Sequence, residues 1–195
     1  MFNHLDIEAE KRAMRVGARA VRQAVSANER VQAAEEVARL GLGFLKRWPG
    51  MVAAYYPMRS EFDCVPLLRR VANEGWTLAL PVINGPAPLL FREWTFGAPL
   101  ETGSFGIPAP AEGALAAPDV MLVPLLAFDR CGYRLGYGGG HYDRTLAALR
   151  RNGGVTAIGL AFDAQEVAEV PVCPYDEPLD WILTPSGAKS PKDIT

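Results

Sequence analysis

A chain of 195 residues with 49% hydrophobic and 22% charged residues has the composition of an ordinary globular protein. Its length predicts one domain, 1–195, with a core large enough to need no disulfide support. The formal net charge of −2 excludes a global positive field that would attract nucleic acid or an anionic membrane. The 19 glycines and 16 prolines predict many turns and loops, where functional residues often lie.

The cysteines and the apolar pattern bear on the compartment. Cys64, Cys131 and Cys173 are far apart and form neither a CxxC pair nor a zinc-ligand spacing, so reduced thiols are the simplest interpretation. No apolar run approaches the roughly 18 residues that span a bilayer, and the charged stretch 6–12 stands where a signal peptide needs apolar residues. We therefore expect a cytoplasmic protein that binds neither membranes nor nucleic acid.

The first 50 residues predict two helices. The first covers about 7–25, and Ser26 with Glu29 forms an S-x-x-E capping box at the start of the second. Apolar residues at spacings of three and four continue the second helix until Pro49 and Gly50 end it.

After residue 50, apolar strands alternate with helical segments. A strand is predicted at 51–56, and Asp63 is expected to cap a helix that extends to Asn73. The remaining predicted elements are strands at 76–82, 89–94, 120–123, 155–161 and 181–183, a helix at 142–151, and loops at 97–118 and 128–140. This alternation indicates an α/β protein with a mostly parallel sheet, in which ligands bind at the carboxyl ends of the strands.

The segment Arg134–Arg144 is the most informative part of the sequence because it follows a predicted strand and leads into a helix. Gly136 and 138–140 permit positive φ and present consecutive N–H groups, and a helix amino terminus favours a phosphate group. Arg134 and Arg144 add positive charge at both ends. The segment is neither a Walker A loop nor a G-x-G-x-x-G loop. A closely packed glycine turn is the alternative, but four glycines in five positions favour an anion site.

Two side chains beside these glycines have more specific interpretations. Asp143 can offer a hard oxygen ligand to Mg²⁺. His141 could take part in phosphoryl transfer or make an aromatic contact, and the contact is the favoured interpretation.

The first helix carries a basic face. Lys11, Arg15, Arg19 and Arg22 recur at spacings of four, four and three, so they lie on one side of the helix. Alone, this pattern is typical of a solvated surface. Together with a phosphate loop, it makes Lys11 and Arg15 candidates for phosphate binding.

Two loops supply candidates for contacts with a flat ligand. The segment Tyr55–Asp63 follows a strand, where Glu61 can hydrogen-bond a polar heterocycle and Met58 can add an apolar contact. A surface carboxylate is an equally good interpretation of Glu61. Phe105, on a loop stiffened by proline, can stack on a flat ligand or pack into the core.

These segments, in this order, resemble the 5-formyltetrahydrofolate cyclo-ligases, also called methenyltetrahydrofolate synthetases. The matching pieces are 11–15, 56–63, 105–108, 122–143 and 179–185, which together span nearly the whole chain. The string R-L-G-x-G-x-G-x-Y-D is highly specific, and the other pieces are individually weak.

The resemblance implies a fold and a reaction. The fold would be a three-layer α/β arrangement of the NagB/RpiA/CoA-transferase-like type. The reaction would be the ATP- and Mg²⁺-dependent conversion of 5-formyltetrahydrofolate to 5,10-methenyltetrahydrofolate, with release of ADP and phosphate. Phosphorylation of the formyl oxygen would activate it for attack by N10. The partner would be this small-molecule substrate, and the protein would act as a monomer.

The resemblance also implies roles for individual residues. Lys11, Arg15 and Arg134 would neutralise the transferring phosphoryl group, and Lys11 and Arg134 would be catalytic. Asp143 and Asp180 would hold Mg²⁺. The implied ATP contacts are Lys11, Arg15, Arg134, Leu135, Gly136, Tyr137, Gly138, Gly139, Gly140, His141 and Tyr142. The implied folate contacts are Met58, Glu61, Phe105 and Tyr142.

Four positions depart from the pattern of some family members. These have lysine at the place of Gly139, arginine at Tyr137, tryptophan at Phe105 and tyrosine at His141. Two other functions remain open. A sugar-phosphate isomerase of similar fold would need a general base and no ATP. A non-catalytic folate-binding module would need none of the cations that the sequence supplies.

Overall fold

The computed structural model describes residues 4–48 and 50–191. Helix α1, His4–Ala24, is followed by helix α2, Ala27–Leu45. The predicted capping box is confirmed: the Glu29 N–H donates to Ser26 Oγ, and the Ser26 N–H donates to the Glu29 carboxylate. Helix α2 ends at Leu45, and Pro49, which the sequence predicts as its stop, lies outside the described residues.

Within the described residues, twelve strands and two further α-helices follow. They are β1 Met51–Ala53, α3 Val65–Asn73, β2 Thr77–Val82, β3 Leu90–Glu93, β4 Glu101–Thr102, β5 Pro108–Ala109, β6 Leu115–Ala116, β7 Val120–Pro124, β8 Ala127–Phe128, β9 Arg134–Leu135, α4 His141–Arg151, β10 Thr156–Leu160, β11 Trp181–Thr184 and β12 Gly187–Lys189. Eight of the strands form one sheet in the order β12-β11-β10-β7-β1-β2-β3-β6. The five strands from β11 to β2 pair in parallel and the outer strands are antiparallel, so the predicted mostly parallel sheet is confirmed.

Helices cover both faces of this sheet. Leu45 of α2 and Leu68 of α3 lie in one buried cluster with Val120 of β7. Leu146 of α4 lies in a second cluster with Met121, the next residue of the same strand. Because successive strand residues point to opposite faces, the two clusters lie on either side of the sheet. The result is a three-layer α/β/α arrangement.

Helix α1 lies apart from these two layers. Its residues Met14 and Ala18 pack against a small buried cluster of Ala127, Leu135 and Val170. Strands β8 and β9 form a hairpin that follows the carboxyl end of β7. The packing therefore brings α1, with its basic face, to the edge of the sheet where the parallel strands end. No helix within the described ranges combines the length and the apolar character needed to cross a bilayer.

Four local predictions differ from the structure. Strand β1 ends at Ala53 rather than at residue 56. Cys64, not Asp63, is the N-cap residue of α3; Asp63 instead accepts a hydrogen bond from the Val65 N–H at 2.9 Å. The predicted loops 97–118 and 128–140 contain the two-residue strands β4, β5, β6 and β9, and β12 was not predicted. Strands this short carry too few residues for a period of two to be recognised.

Candidate active site

Three segments meet beyond the carboxyl ends of the central strands. They are α1, a turn at 58–61 that follows β1, and residues 136–140, which we call the glycine loop. Arg22 of α1 joins all three: Nε donates to Ser60 Oγ at 3.2 Å, and Nη1 donates to the Tyr137 hydroxyl. Nη1 also donates to the Leu125 carbonyl, just past β7, at 3.4 Å. This is the sheet edge where the sequence predicts ligand binding.

The glycine loop runs directly into the amino terminus of α4. Gly138 and Gly140 have φ of +99° and +64°, the left-handed region that glycine adopts without strain. Gly140 is the N-cap residue of α4 and supplies no side chain to the first N–H groups of the helix. Those N–H groups and the positive end of the helix dipole make a suitable site for an anion.

Two arginines hold the loop in place. Arg15 Nε donates to the Gly136 carbonyl at 3.0 Å, and a Cβ at Gly138 would come within 3.4 Å of the Arg15 guanidinium carbon. Arg144 Nη2 donates to the Gly139 carbonyl at 2.9 Å. The structure therefore brings Arg15, a predicted phosphate contact, and Arg144, one of the two arginines predicted to add positive charge, to the loop itself.

Arg134 and Asp143 form an ion pair under the loop. Arg134 Nη2 lies 2.7 Å from Asp143 Oδ1, and the exposed fraction is 4% for the arginine side chain and 25% for the aspartate. The Glu177 carbonyl accepts from Arg134 Nη1 at 2.5 Å, and the Glu177 N–H donates to Asp143 Oδ1 at 3.2 Å. Asp143 is thereby fixed in the first turn of α4 with part of its carboxylate exposed.

Lys11 lies one helical turn before Arg15 and is held by a second ion pair. Its Nζ lies 2.5 Å from Asp176 Oδ2, which also accepts the Cys173 N–H at 2.6 Å. Only 6% of the Lys11 side chain is exposed. The segment around residues 173–177 thus anchors both Lys11 and Arg134, a role for which the sequence offered no local signal.

Asp180 is bonded to Arg150, near the carboxyl end of α4. Its Oδ2 accepts from the Ala157 N–H at 2.9 Å and from Arg150 Nη2 at 3.0 Å, next to the amino ends of β10 and β11. Arg150 stands seven residues after Asp143 on α4, which is about 10 Å along a helix. In the described ranges, no three His, Cys, Asp or Glu side chains are grouped so that they could hold a metal ion.

Glu61 faces the glycine loop from the 58–61 turn. The Met58 N–H donates to Glu61 Oε2 at 2.8 Å, and the Glu61 N–H donates to the Met58 carbonyl at 3.0 Å. Burial raises the pKa of Tyr137 and Tyr142, and the negative charge of Glu61 raises both further. The negative charge of Glu61 thus acts on both tyrosines, while its carboxylate accepts from the Met58 N–H.

The other predicted residues occupy different surroundings. Phe105 lies at the tip of the β4–β5 hairpin with φ of +58° and 83% of its surface exposed, so it does not pack into the core. A pocket of about 340 Å³ separates the base of this hairpin from the chain after β1, lined by Tyr56, Trp94, Phe96 and Pro108 among others.

Three further predicted residues differ in their burial and contacts: Leu135, Tyr142 and His141. Leu135 is buried against α1, and Tyr142 packs against the core cluster under α4. His141 Nδ1 lies 3.3 Å from Arg144 Nη2. Partial burial, and secondarily the charge of Arg144, lowers the pKa of His141, which favours its neutral form.

Arg22 and Ser60 were not predicted as site residues. Arg22 belongs to the predicted basic face of α1, but its burial, with 5% exposed, and its contacts could not be foreseen from helical spacing. The periodicity of that face was the one signal in the sequence that pointed toward it.

The sequence is similar to proteins of one enzyme family. The model of the 5-formyltetrahydrofolate cyclo-ligase family matches residues 7–185. The chain is 30% identical over 182 residues to the 5-formyltetrahydrofolate cyclo-ligase of Haemophilus influenzae, covering 89% of this chain and 97% of that protein. It is 36% identical over 160 residues to the enzyme of that name from Mycolicibacterium smegmatis, covering 77% of this chain and 81% of the relative.

The fold is similar as well. The NMR structure of the 5,10-methenyltetrahydrofolate synthetase of Aquifex aeolicus superposes with a TM-score of 0.79 and 29% sequence identity, covering 95% of this chain and 94% of that one. Sequence and structure agree with the resemblance carried by the glycine loop and its flanking segments. The chain therefore belongs to the 5-formyltetrahydrofolate cyclo-ligase family.

Proposed function

We propose that this chain converts 5-formyltetrahydrofolate to 5,10-methenyltetrahydrofolate in a reaction that needs ATP and Mg²⁺ and releases ADP and phosphate. The observation that carries the proposal is the amino terminus of α4, which has no side-chain cap and lies at the end of a glycine loop held by arginines. This arrangement suits the phosphates of a nucleotide, and the family to which the chain belongs supplies the reaction class.

The reaction requires an activated formyl group. The formyl oxygen takes the terminal phosphoryl group of ATP and ADP leaves. N10 of the folate then attacks the activated carbon and loses its proton, and departure of phosphate completes the ring. This chain needs no covalent chemistry of its own for these steps. Its residues position the two substrates and neutralise the charge that moves between them.

Arg134 and Lys11 are proposed as the catalytic cations, with Arg15 as a further phosphate contact. Each is oriented before a ligand arrives, because Arg134 is fixed by Asp143, Lys11 by Asp176, and Arg15 by the Gly136 carbonyl. Donors held in place need no reorganisation during the reaction, so their effect on the transition state is large. The backbone of 135–142 would contact the phosphates.

Asp143 fits a role as a ligand for Mg²⁺. It offers a hard oxygen donor, remains partly exposed, and stands in the helical turn where phosphates would bind. Bound Mg²⁺ would neutralise negative charge on the transferring phosphoryl group. Asp180 lies at the contact between α4 and the β10–β11 edge, where Arg150 and the Ala157 N–H bond to one of its oxygens, and its role as a second Mg²⁺ ligand stays a prediction.

The folate is proposed to lie between the 58–61 turn and the Phe105 hairpin. Glu61 would accept hydrogen bonds from the polar heterocycle, and Met58, Tyr142 and Phe105 would contact its flat faces. The proximity of Glu61 to Tyr142 supports this assignment, as does the exposure of Phe105. An exposed aromatic side chain on a turn is available to cover a ligand.

Finer features belong to the same proposal. The α/β/α layering supports assignment to the NagB/RpiA/CoA-transferase-like fold. We also propose a single-domain enzyme, 1–195, that acts as a monomer in the cytoplasm. Light scattering should give the mass of one chain, and the mass of two would contradict the monomer.

One assay tests the reaction. The protein is mixed with 5-formyltetrahydrofolate, MgCl₂ and ATP, and the near-ultraviolet absorbance of the methenyl product is followed together with ADP. We expect one ADP for each product molecule, and no product when ATP is omitted or Mg²⁺ is chelated. Folate binding without any ATP-dependent product would overturn the proposal in favour of a binding module. Turnover of a sugar phosphate without ATP would favour an isomerase.

A further inference from the structure

Arg22 is a buried arginine that bonds to both sides of the proposed active site. It is 5% exposed, and its Nε donates to Ser60 Oγ at 3.2 Å, within the 58–61 turn. Its Nη1 donates to the hydroxyl of Tyr137, in the glycine loop. The guanidinium carbon also lies 5.4 Å from the centre of the Tyr137 ring, within the range of a cation–π contact.

The turn that Arg22 reaches is held from a second helix. Arg30 of α2 donates from Nη1 to the Ser60 carbonyl at 2.9 Å and from Nη2 to the Arg22 carbonyl at 2.5 Å. Arg30 therefore fixes the main chain on both sides of the Arg22–Ser60 contact. This leaves Arg22 with little freedom to choose another partner.

Tyr137 completes a connection across the site. Its hydroxyl accepts from Arg22, and the negative charge of Glu61 raises its pKa, so the carboxylate lies close to the same phenol. Glu61 is the residue proposed to contact the folate, and Tyr137 lies in the loop proposed to contact ATP. A movement of either segment thus changes the surroundings of the Tyr137 hydroxyl.

The electrostatics of Arg22 are unusual for a purely structural residue. Within 4–48 and 50–191, no ion pair joins Arg22 directly to a carboxylate; its hydrogen-bond acceptors are neutral, and the charge of Glu61 reaches it through the Tyr137 hydroxyl. Burying a guanidinium against neutral acceptors stabilises the fold poorly, because the cost of removing the charge from water is only partly offset. The contribution of Arg22 to the stability of the fold therefore does not explain its position.

We propose that Arg22 is a positioning residue that couples the two substrate subsites. Through Ser60 it holds the turn that carries Met58 and Glu61, and through Tyr137 it holds the glycine loop. A ligand that orders one segment orders the other, so each substrate raises the affinity for its co-substrate by the same factor. The inference rests on the proposed function for the identity of the two substrates.

Neighbouring arginines provide matched comparisons. Arg15 bonds to the glycine loop and Arg30 to the 58–61 turn, whereas Arg22 bonds to both. A residue that holds one segment affects the binding of one ligand to the same extent whether or not the other ligand is bound. A residue that holds both also affects how binding of one ligand changes binding of the other.

Calorimetry measures this coupling without turnover. The dissociation constant of 5-formyltetrahydrofolate is determined with and without a saturating non-hydrolysable ATP analogue and Mg²⁺. For the unchanged protein we expect the analogue to tighten folate binding at least about fivefold, the lower end of typical coupling. In Tyr137→Phe, which removes the hydroxyl and keeps the ring, and in Arg22→Met, the ratio should fall toward one.

The control is Arg15→Gln, which loosens the glycine loop without touching Ser60 or the Arg22 main chain. It should weaken binding of the analogue, and with the analogue at saturation it should leave the ratio for folate unchanged. A melting temperature for each variant reports whether it is folded. If Arg22→Met fails to fold, Tyr137→Phe and Ser60→Ala decide the matter.

Two results would overturn the inference. One is a ratio near one in the unchanged protein. The other is an unchanged ratio in folded Tyr137→Phe and Ser60→Ala. Failure of the proposed function has a different signature, because the unchanged protein would then make no methenyl product from ATP and 5-formyltetrahydrofolate.

Discussion

The glycine loop and the Phe105 hairpin, which we propose as the ATP side and the folate side of one site, are built in opposite ways. Around the loop, Arg15, Arg134 and Arg144 are each bonded to a backbone carbonyl or a carboxylate. At the hairpin, Phe105 is 83% exposed and occupies a left-handed backbone conformation. One side is assembled before a ligand arrives, and the other presents apolar surface that a ligand would cover.

This difference follows from the chemistry of the two proposed ligands. A phosphoryl group carries charge that must be met by donors already oriented, because reorienting them costs part of the stabilisation. A flat heterocycle gains affinity from apolar area removed from water, which needs a surface and not a fixed geometry. Substitutions on the phosphate side should therefore affect turnover, and those on the hairpin should affect folate affinity.

The largest effect is expected from Arg134→Ala. It removes a catalytic cation and leaves Asp143 without its partner, so kcat should fall by at least about 10²–10³-fold. Initial rates at saturating substrates measure this. Arg70→Ala is the control, because Arg70 is also ion-paired, to Glu35, but stands on α3 and bonds to no residue of the proposed site. It should lower the melting temperature and keep most of the turnover. Equal turnover of the two variants would remove Arg134 from the mechanism.

A loss of both stability and activity is expected from Lys11→Ala. The Lys11–Asp176 pair is largely buried, and breaking such a pair strands a charge at a cost of about 3 kcal/mol. Arg39→Ala, which breaks the exposed pair with Glu36, should cost less than about 1 kcal/mol. Urea unfolding measures the loss of stability in each of the two variants. Similar losses in the two variants would mean that burial does not set the strength of the Lys11 pair.

A smaller and more selective effect is expected from Phe105→Ala. Loss of an aromatic contact worth about 1–1.5 kcal/mol should raise the KM for 5-formyltetrahydrofolate roughly tenfold and leave the KM for ATP unchanged. Because Phe105 is exposed, the melting temperature should hardly change. Leu115→Ala, at another exposed apolar residue, is the control. An increase confined to the KM for ATP would place the folate elsewhere.

The smallest effect concerns pH. The folded state lowers the pKa of His141 below its ordinary value of 6.5, chiefly through burial. Below about pH 6.5 the unfolded chain binds more protons at His141 than the folded chain does. The free energy of unfolding is therefore unaffected by His141 above about pH 6.5 and decreases as the pH falls below it. Melting temperatures between about pH 5.5 and 7.5 should decline less toward acid in His141→Gln. Identical profiles would contradict the assignment.

The accuracy of the sequence-based predictions depended on how local the signal was. The capping box of Ser26 and Glu29 spans three residues and was confirmed as predicted. The strands at 76–82, 89–94, 120–123, 155–161 and 181–183 were located to within one residue at each end. The prediction that Asp63 is the N-cap residue of α3 was wrong, because Cys64 occupies that position. Side-chain type alone does not decide which of two neighbouring residues becomes the N-cap.

The sequence by itself determined the family, and it predicted the chemistry of the phosphate side because the glycine loop, Arg134, Arg144 and Asp143 lie within eleven consecutive residues. What only the tertiary structure decided was the partner of each charge. Lys11 pairs with Asp176 across 165 residues, and Arg22 bonds to Tyr137 across 115. Such contacts depend on the order of the strands in the sheet and on the packing of α1 beside it. Neither of these is encoded in the spacing of neighbouring residues.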